Sequence, residues 1–222
     1  MGTRILTIAA ILFSTTAVGS AGTLSTTLTG NFTFDNDVVL FDVLLQTPAQ
    51  LTVFTSSWAS GGFATHLEMF DGTGTSPFAV SNGGVPACIP NGPAPLRDGL
   101  YCGDAEVHEG PTINDPLPAG HYLIALSQAD NYSDGFDIHD PFTYDGVAGQ
   151  NYTAVPGICD AYFCDSFFLT PNTSAWSVTF QFDTVEGNPT GTVTQVGAVP
   201  EPATSALLLG GAVLVACWRR RR

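Results

Sequence analysis

From Ala175 to Asp183 the chain reads Ala-Trp-Ser-Val-Thr-Phe-Gln-Phe-Asp, with a large apolar side chain at every second position. A period of two puts Trp176, Val178, Phe180 and Phe182 on one face and Ser177, Thr179, Gln181 and Asp183 on the other, the pattern of a half-buried strand. Val38 to Leu45 is apolar apart from Asp42, as a central strand would be. Gln50–Thr55, His66–Asp71 and His121–Ser127 read as further strands. Asp71-Gly72, Asn82-Gly83 and Asn91-Gly92 punctuate them as turns. No stretch of the body carries a helical period. Many short strands with Gly, Pro and Asn between them predict an all-β fold, a β-sandwich or jelly roll in a single domain. Two long insertions interrupt it, Asn82 to Pro116 and Asp130 to Pro171.

The two ends have a different character. Met1-Gly2-Thr3-Arg4 precedes an apolar run from Ile5 to Phe13 and then small residues up to Ala21. One positive charge, a short apolar core and a small-residue exit predict a secretory signal peptide over residues 1–21, cut after Gly19 or Ala21. At the other end, Ala203 to Trp218 carries no charge and Arg219, Arg220, Arg221 and Arg222 follow. As a helix, residues 203–218 would reach about 24 Å at 1.5 Å per residue, somewhat short of a hydrocarbon core of about 30 Å. Snorkelling arginines and an interfacial Trp218 make up the difference. The apolar residues run all round, so this is a membrane helix rather than an amphipathic one, and the arginines should stay in the cytoplasm. The expected organisation is therefore a signal peptide over 1–21, an exported sandwich over 22–185, a linker over 186–199 and a tail over 200–222.

Charge bounds the partners. Lysine is absent, and of the six arginines only Arg97 lies between residues 22 and 199. Nineteen of the twenty acids lie there too, a formal net of −18. Such a body has no basic patch for nucleic acid. It favours solubility, repulsion between copies and attraction for divalent cations.

Four cysteines, Cys88, Cys102, Cys159 and Cys164, fall in the body and allow three pairings. Export makes disulfides plausible, and the simplest assignment is two local bridges, Cys88 to Cys102 and Cys159 to Cys164. No spacing is C-x-x-C and no histidine sits at finger spacing, which disfavours zinc. Cys217 lies inside the apolar tail.

Pro200-Glu201-Pro202, the apolar span and the arginine cluster, in that order behind a signal peptide, resemble the PEP-CTERM sorting signal of Gram-negative bacteria. The resemblance implies recognition by an exosortase, a membrane protease-transpeptidase. It implies a cut near the tripeptide and delivery of the body to the cell envelope or extracellular matrix, in bacteria that commonly make exopolysaccharide. The membrane span would then be transient. The body has a resemblance of its own. "TGNFTFDNDVVLFDVLL", "QLTVFTSSW", "THLEMFDGTGT", "PLPAGHYLIALSQADN" and "WSVTFQFD" follow one another in the order of the DVUA0089-type exported domain and, more distantly, of bacterial pre-peptidase C-terminal domains. That likeness spans about Gly30 to Asp183 and implies a small β-sandwich. The pre-peptidase pattern has an acidic stretch where Ser81-Asn82-Gly83-Gly84 stands, so a calcium role does not carry over to that loop.

Two acidic clusters have the oxygen-rich character that calcium takes. One is Asp35-Asn36-Asp37, with Asp42 just beyond it. The other runs from Asp130 to Asp140 and includes Asp134 and Asp137, with Asp145 shortly after. The candidate calcium ligands are Asp35, Asp37, Asp130, Asp134, Asp137 and Asp140. The competing expectation is that these are turn residues bonding their own backbone. No EF-hand spacing is present. His66, His108, His121 and His139 are scattered, and neither H-E-x-x-H, G-x-S-x-G nor a phosphate loop appears. No catalytic group is assigned, and the expected reading is a non-enzyme. Trp58, Tyr132, Phe136 and Tyr144 are aromatics that could stack on sugar rings or pack under the loops. Asn31, Asn131, Asn151 and Asn172 begin N-x-[ST] patterns, which we ascribe to composition. The sequence therefore reads as an exported, non-enzymatic envelope or matrix protein handled by an exosortase, with a calcium-assisted polysaccharide-binding module as the alternative and a secreted hydrolase third.

Overall fold

A computed structural model describes residues 21–75, 77–82, 104–109, 116–135, 137–146, 149–165, 170–184 and 187–198. Eleven strands follow one another: β1 Gly22–Asn31, β2 Val39–Leu45, β3 Gln50–Thr55, β4 Thr65–Asp71, β5 Pro77–Asn82, β6 Glu106–Glu109, β7 Gly120–Gln128, β8 Cys164–Asp165, β9 Thr170–Pro171, β10 Ala175–Thr184 and β11 Gly191–Ala198. A 3-10 turn, Trp58–Ser60, follows β3 and is ended by Gly61 at φ +82°, a conformation that costs glycine least.

Two antiparallel sheets carry the fold. One runs β1-β10-β3-β6 and the other β11-β2-β7-β4-β5; β8 and β9 form a small ribbon apart. The alternating segment behaves as its period demands. In β10, Trp176, Val178, Phe180 and Phe182 are buried and the residues between them half-buried or more open. They meet Phe41, Val43 and Leu45 of β2, Leu67 and Met69 of β4, and Ile124 and Leu126 of β7 in one core between the sheets. Phe41 sits edge-on to both Trp176 and Phe180, with ring centres 5.7 and 5.2 Å away, the arrangement that aromatic quadrupoles favour. The expected sandwich is thus present.

The apolar character of β2 has a specific cause. Val39, Phe41, Val43 and Leu45 enter the core between the sheets. Leu40, on the opposite face, packs with Leu123 against a second cluster of Val38, Phe70, Ala125, Ile138 and Phe142. The loop after β7 supplies Ile138 and Phe142, so it lies over the outer face of the second sheet and covers part of it. A strand apolar on both faces is the result.

Three expected strands gain a residue or two at their ends, β3 has its expected bounds, and β2 begins at Val39 rather than Val38. Residues 186–199 differ from expectation. Instead of a linker, they hold β11, which pairs antiparallel with β2 from Gly191–Leu45 to Ala198–Val39. Gly-Thr-Val-Thr-Gln-Val-Gly-Ala alternates only weakly in hydropathy, because an edge strand at the rim of the sandwich has little core to bury. The body therefore extends to Ala198. Two further strands, β5 and β6, touch or lie within the insertion Asn82–Pro116.

Candidate functional site

No described residue is a lysine or an arginine. Every carboxylate must find backbone N–H groups, hydroxyls or histidines, and this explains how the acidic clusters are built. Asp37 Oδ2 accepts from the backbone N–H groups of Thr33 and Phe34. Asp71 Oδ1 accepts from Thr73 N–H, Thr73 Oγ1 and Thr75 N–H. Asp137 Oδ1 takes the His139 N–H at 2.9 Å, Asp140 Oδ2 the Asp137 N–H at 3.0 Å, and Asp145 Oδ2 the Phe142 N–H at 2.9 Å. Asp134 Oδ1 accepts from Thr143 Oγ1 at 3.4 Å. Asp130 is exposed at φ +71°. These are turn-forming carboxylates that close their own loops.

Asp35 is different. It is fully buried, in the loop between β1 and β2, and its partners come from far along the chain. Its Oδ1 accepts from Phe163 N–H at 2.6 Å, and its Oδ2 from Thr153 N–H at 3.0 Å and Thr153 Oγ1 at 2.6 Å. Burial, the dominant influence, pushes its pKa up; the bonds from Thr153 and Phe163 oppose that. The carboxylate pins the insertion around residues 151–164 to the sandwich. Cys159 and Cys164 are disulfide-bonded inside that insertion, as expected. Cys88 and Cys102 lie outside the described residues. Alongside, Tyr144 stacks on Tyr152 with ring centres 3.7 Å apart. The Tyr152 hydroxyl donates to Ala129 O at 2.9 Å, and its burial raises its pKa.

Among the described residues, no three His, Cys, Asp or Glu side chains come together as a metal site. The candidate ligands face different partners: Asp35 the amides of Thr153 and Phe163 and the Thr153 hydroxyl, Asp37 its own turn, Asp137 and Asp140 backbone within their loop and Asp134 the Thr143 hydroxyl, while Asp130 is exposed.

Two buried acids were not singled out by sequence. Glu68 meets His66 Nε2 at 2.8 Å, and the Ser133 N–H donates to the same oxygen at 2.8 Å, beneath the loop after β7. Both side chains are buried because that loop covers the sheet. The available sequence signal was His-x-Glu on one strand, which places both on one face. Asp104 Oδ1 accepts from Trp58 N–H at 2.9 Å and Thr55 Oγ1 at 3.1 Å, fixing the 3-10 turn to the strands beside it. At the surface, His121 Nδ1 pairs with Asp42 at 2.9 Å.

The aromatics divide. Tyr144 is spent on Tyr152, Trp58 is half-buried, Tyr132 is exposed, and Phe136 lies outside the described residues. Of the glycosylation-like asparagines, Asn131 is buried and bonds to the backbone of Asn36 and Tyr144.

An open cleft of about 510 Å³ lies where β1, β10 and the 3-10 turn meet. Thr29, Asn31, Ser57, Ser60 and Ser177 line it with hydroxyls and an amide, and the buried Trp176 lies at its base. Gly30 is needed there, because a Cβ on it would stand 2.3 Å from Trp176 Cζ2.

At the far end of the described chain, β11 finishes at Ala198, and the next element of sequence is Pro200-Glu201-Pro202. Residues 198–222 match the PEP-CTERM protein-sorting motif. The chain is therefore an exported protein of the kind that an exosortase sorts. Pro200, Glu201, Pro202 and Arg219 to Arg222 fall within that match and outside the described residues. Residues 1–20, nearly all of the expected signal peptide, also lie outside the described residues. Among the described residues, no helix is long and apolar enough to cross a membrane. No curated protein and no solved structure matches the chain.

Proposed function

We propose that this chain is a non-enzymatic structural protein of the cell envelope or exopolysaccharide matrix. Residues 1–21 direct its export, and residues 203–218 hold it transiently in the inner membrane with the arginines in the cytoplasm. An exosortase then cuts near Pro200-Glu201-Pro202. The observation that carries the reading is the position of the sorting motif against the fold. The last strand ends two residues before Pro200, so a cut at the tripeptide leaves both sheets whole. The engagement of the clustered acids by backbone amides supports a scaffold over a catalyst. The DVUA0089-type likeness of Gly30–Asp183 agrees with an exported sandwich.

The test is the intact mass of the protein in membrane and medium fractions of its host. Loss of the residues after about Pro202, with the body in the medium or matrix, supports the reading. A full-length tail found only in membranes overturns the processing step. Turnover of a chromogenic glycoside or ester would overturn the non-enzymatic assignment.

The cleft favours a second reading, a polysaccharide-binding module. Its hydroxyl and amide lining offers the donors and acceptors that a sugar chain needs. Retention on the host's own exopolysaccharide, lost on Asn31→Ala with Ser177→Ala, is the expected result. Calcium assistance adds a chelator-sensitive component through the acidic loops. Retention unchanged by chelator removes calcium from the reading.

A further inference from the structure

The four sheet edges of this sandwich are not alike. Strand edges invite pairing with another chain, and proteins blunt them with charge, proline, shortness or a bulge. Here β6 is four residues long and carries Glu106 and Glu109. Strand β5 opens with Pro77, and its pairing with β4 shifts register near Met69. Strand β11 shifts register between Gln195 and Ala198. Strand β1 has none of these devices. It is ten residues long, pairs with β10 in unbroken register from Gly22 to Asn31, and has no partner on its other side among the described residues.

Its sequence is also close to a palindrome. Gly22-Thr23-Leu24-Ser25-Thr26-Thr27-Leu28-Thr29-Gly30 reads almost the same in both directions about Thr26; only Ser25 and Thr27 differ. Under a two-fold axis normal to the sheet and midway between the Thr26 residues of two copies, the antiparallel partner of Leu24 is Leu28 of the other copy, Thr23 meets Thr29, and Gly22 meets Gly30. The parity is right. An axis normal to the sheet keeps each face on its own side, so only residues of like orientation can stand opposite each other, and a one-residue slip would violate this. The half-buried Leu24 and Leu28 sit at the open rim of the core, where a second copy would cover them.

Charge points the same way. The body carries a formal −18, yet neither β1 nor β11, the two edge strands on this flank, contains a charged residue. Acidic copies can approach each other only where they are neutral. Among the described residues the nearest acid to the edge is Asp183, opposite Thr23 and bonded to its hydroxyl. In the paired arrangement the two Asp183 side chains stand about 25 Å apart, from strand spacings of about 4.8 Å and a rise of about 3.4 Å per residue. That exceeds a Debye length of about 8 Å at physiological salt several-fold.

We infer that β1 is a self-association edge. Two copies of this chain pair β1 with β1 antiparallel across a two-fold axis and join their four-stranded sheets into one of eight. The interface is isologous, which is why a self-complementary strand serves it.

The test is sedimentation equilibrium on the exported protein as its host processes it, at micromolar concentration and physiological salt. The wild type should be a dimer. Ser25 and Thr27 are exposed on the outer face, so Ser25→Glu with Thr27→Glu should fold, as the circular dichroism of a β protein would confirm. It sets carboxylates directly opposite each other across the axis and should weaken dimerisation at least tenfold. Ser25→Lys with Thr27→Lys should do the same, and an equimolar mixture of the two variants should recover the dimer. A monomeric wild type overturns the inference. So do variants that dimerise as tightly as the wild type, or a mixture that stays monomeric. Tail processing is read separately by mass, so its failure leaves this result distinguishable.

Discussion

Replacing Asp35 should be the most damaging single polar change in the described structure. Asp35→Ala leaves the Phe163 and Thr153 N–H groups and the Thr153 hydroxyl without their acceptor in a buried site. An orphaned buried donor costs about 1–3 kcal/mol, so two amides alone imply about 2–6 kcal/mol. Part of this is offset, because the mutation also removes a carboxylate whose burial is unfavourable enough to raise its pKa. We expect a net loss of about 3 kcal/mol, a large share of a typical domain's stability of about 5–15 kcal/mol. Urea unfolding followed by tryptophan fluorescence gives the magnitude. Hydrogen exchange gives the location, since amides between 151 and 164 should lose protection before those of β10. The pH dependence has a definite sign. The folded pKa lies above the unfolded value near 3.8, so the native state binds this proton more readily. The contribution of Asp35 to stability is flat below the unfolded value and falls as pH rises through the folded one. Asp35→Asn should flatten that fall. A loss under 1 kcal/mol for Asp35→Ala, with unchanged exchange between 151 and 164, would refute the claim that this carboxylate pins the insertion.

Three further outcomes are expected. Gly30→Val forces a Cβ to within 2.3 Å of Trp176 Cζ2, and overpacking of this kind should cost about 1–3 kcal/mol, read as a lower urea midpoint with altered tryptophan emission. Cys159→Ser opens a bridge between residues five apart; short-loop closure entropy puts the loss near 2 kcal/mol, measured by thermal unfolding with and without reductant. Asp71 has the opposite sign to Asp35. Its bond from the Thr73 hydroxyl, with turn amides in support, holds its pKa low, so its stabilisation is present above about 3.8 and is lost as pH falls. Asp71→Asn should remove that acid sensitivity from the unfolding profile.

The strands that sequence revealed are those with something to bury. Trp176, Val178, Phe180 and Phe182 declare β10 because each fills the core between the sheets. Strand β11 and strand β1 stayed hidden because edge strands need few apolar residues, and threonine and serine alternate with little hydropathic contrast. The second core was hidden for a related reason. Ile138 and Phe142 are isolated among acids and prolines, and only the path of the loop brings them to Phe70 and Val38. The acidic clusters looked like cation ligands because composition carries no direction. Asp37, Asp137, Asp140 and Asp145 each accept from a backbone amide in their own turn, a role that Asp-x-x-Asp and Asp-x-His spacings also permit. The long-range bond from Asp35 to Phe163 crosses 128 positions and has no local signature.

The junction at Ala198 has a mechanical meaning. In the membrane-held precursor we propose, tension on the body enters through β11, an edge strand that among the described residues is tied on one side only, to β2. Force along the strand loads the whole ladder in shear and is resisted by all of it. Force across the strand peels it from Ala198, where the ladder is already irregular as far as Gln195. Freeing Val196 to Ala198 releases about 10 Å of chain at about 3.4 Å per residue and leaves the regular pairs from Gly191 to Gln195 intact. The sandwich thus ends in a short fuse of its own backbone, able to pay out slack toward the sorting motif before the core feels the load.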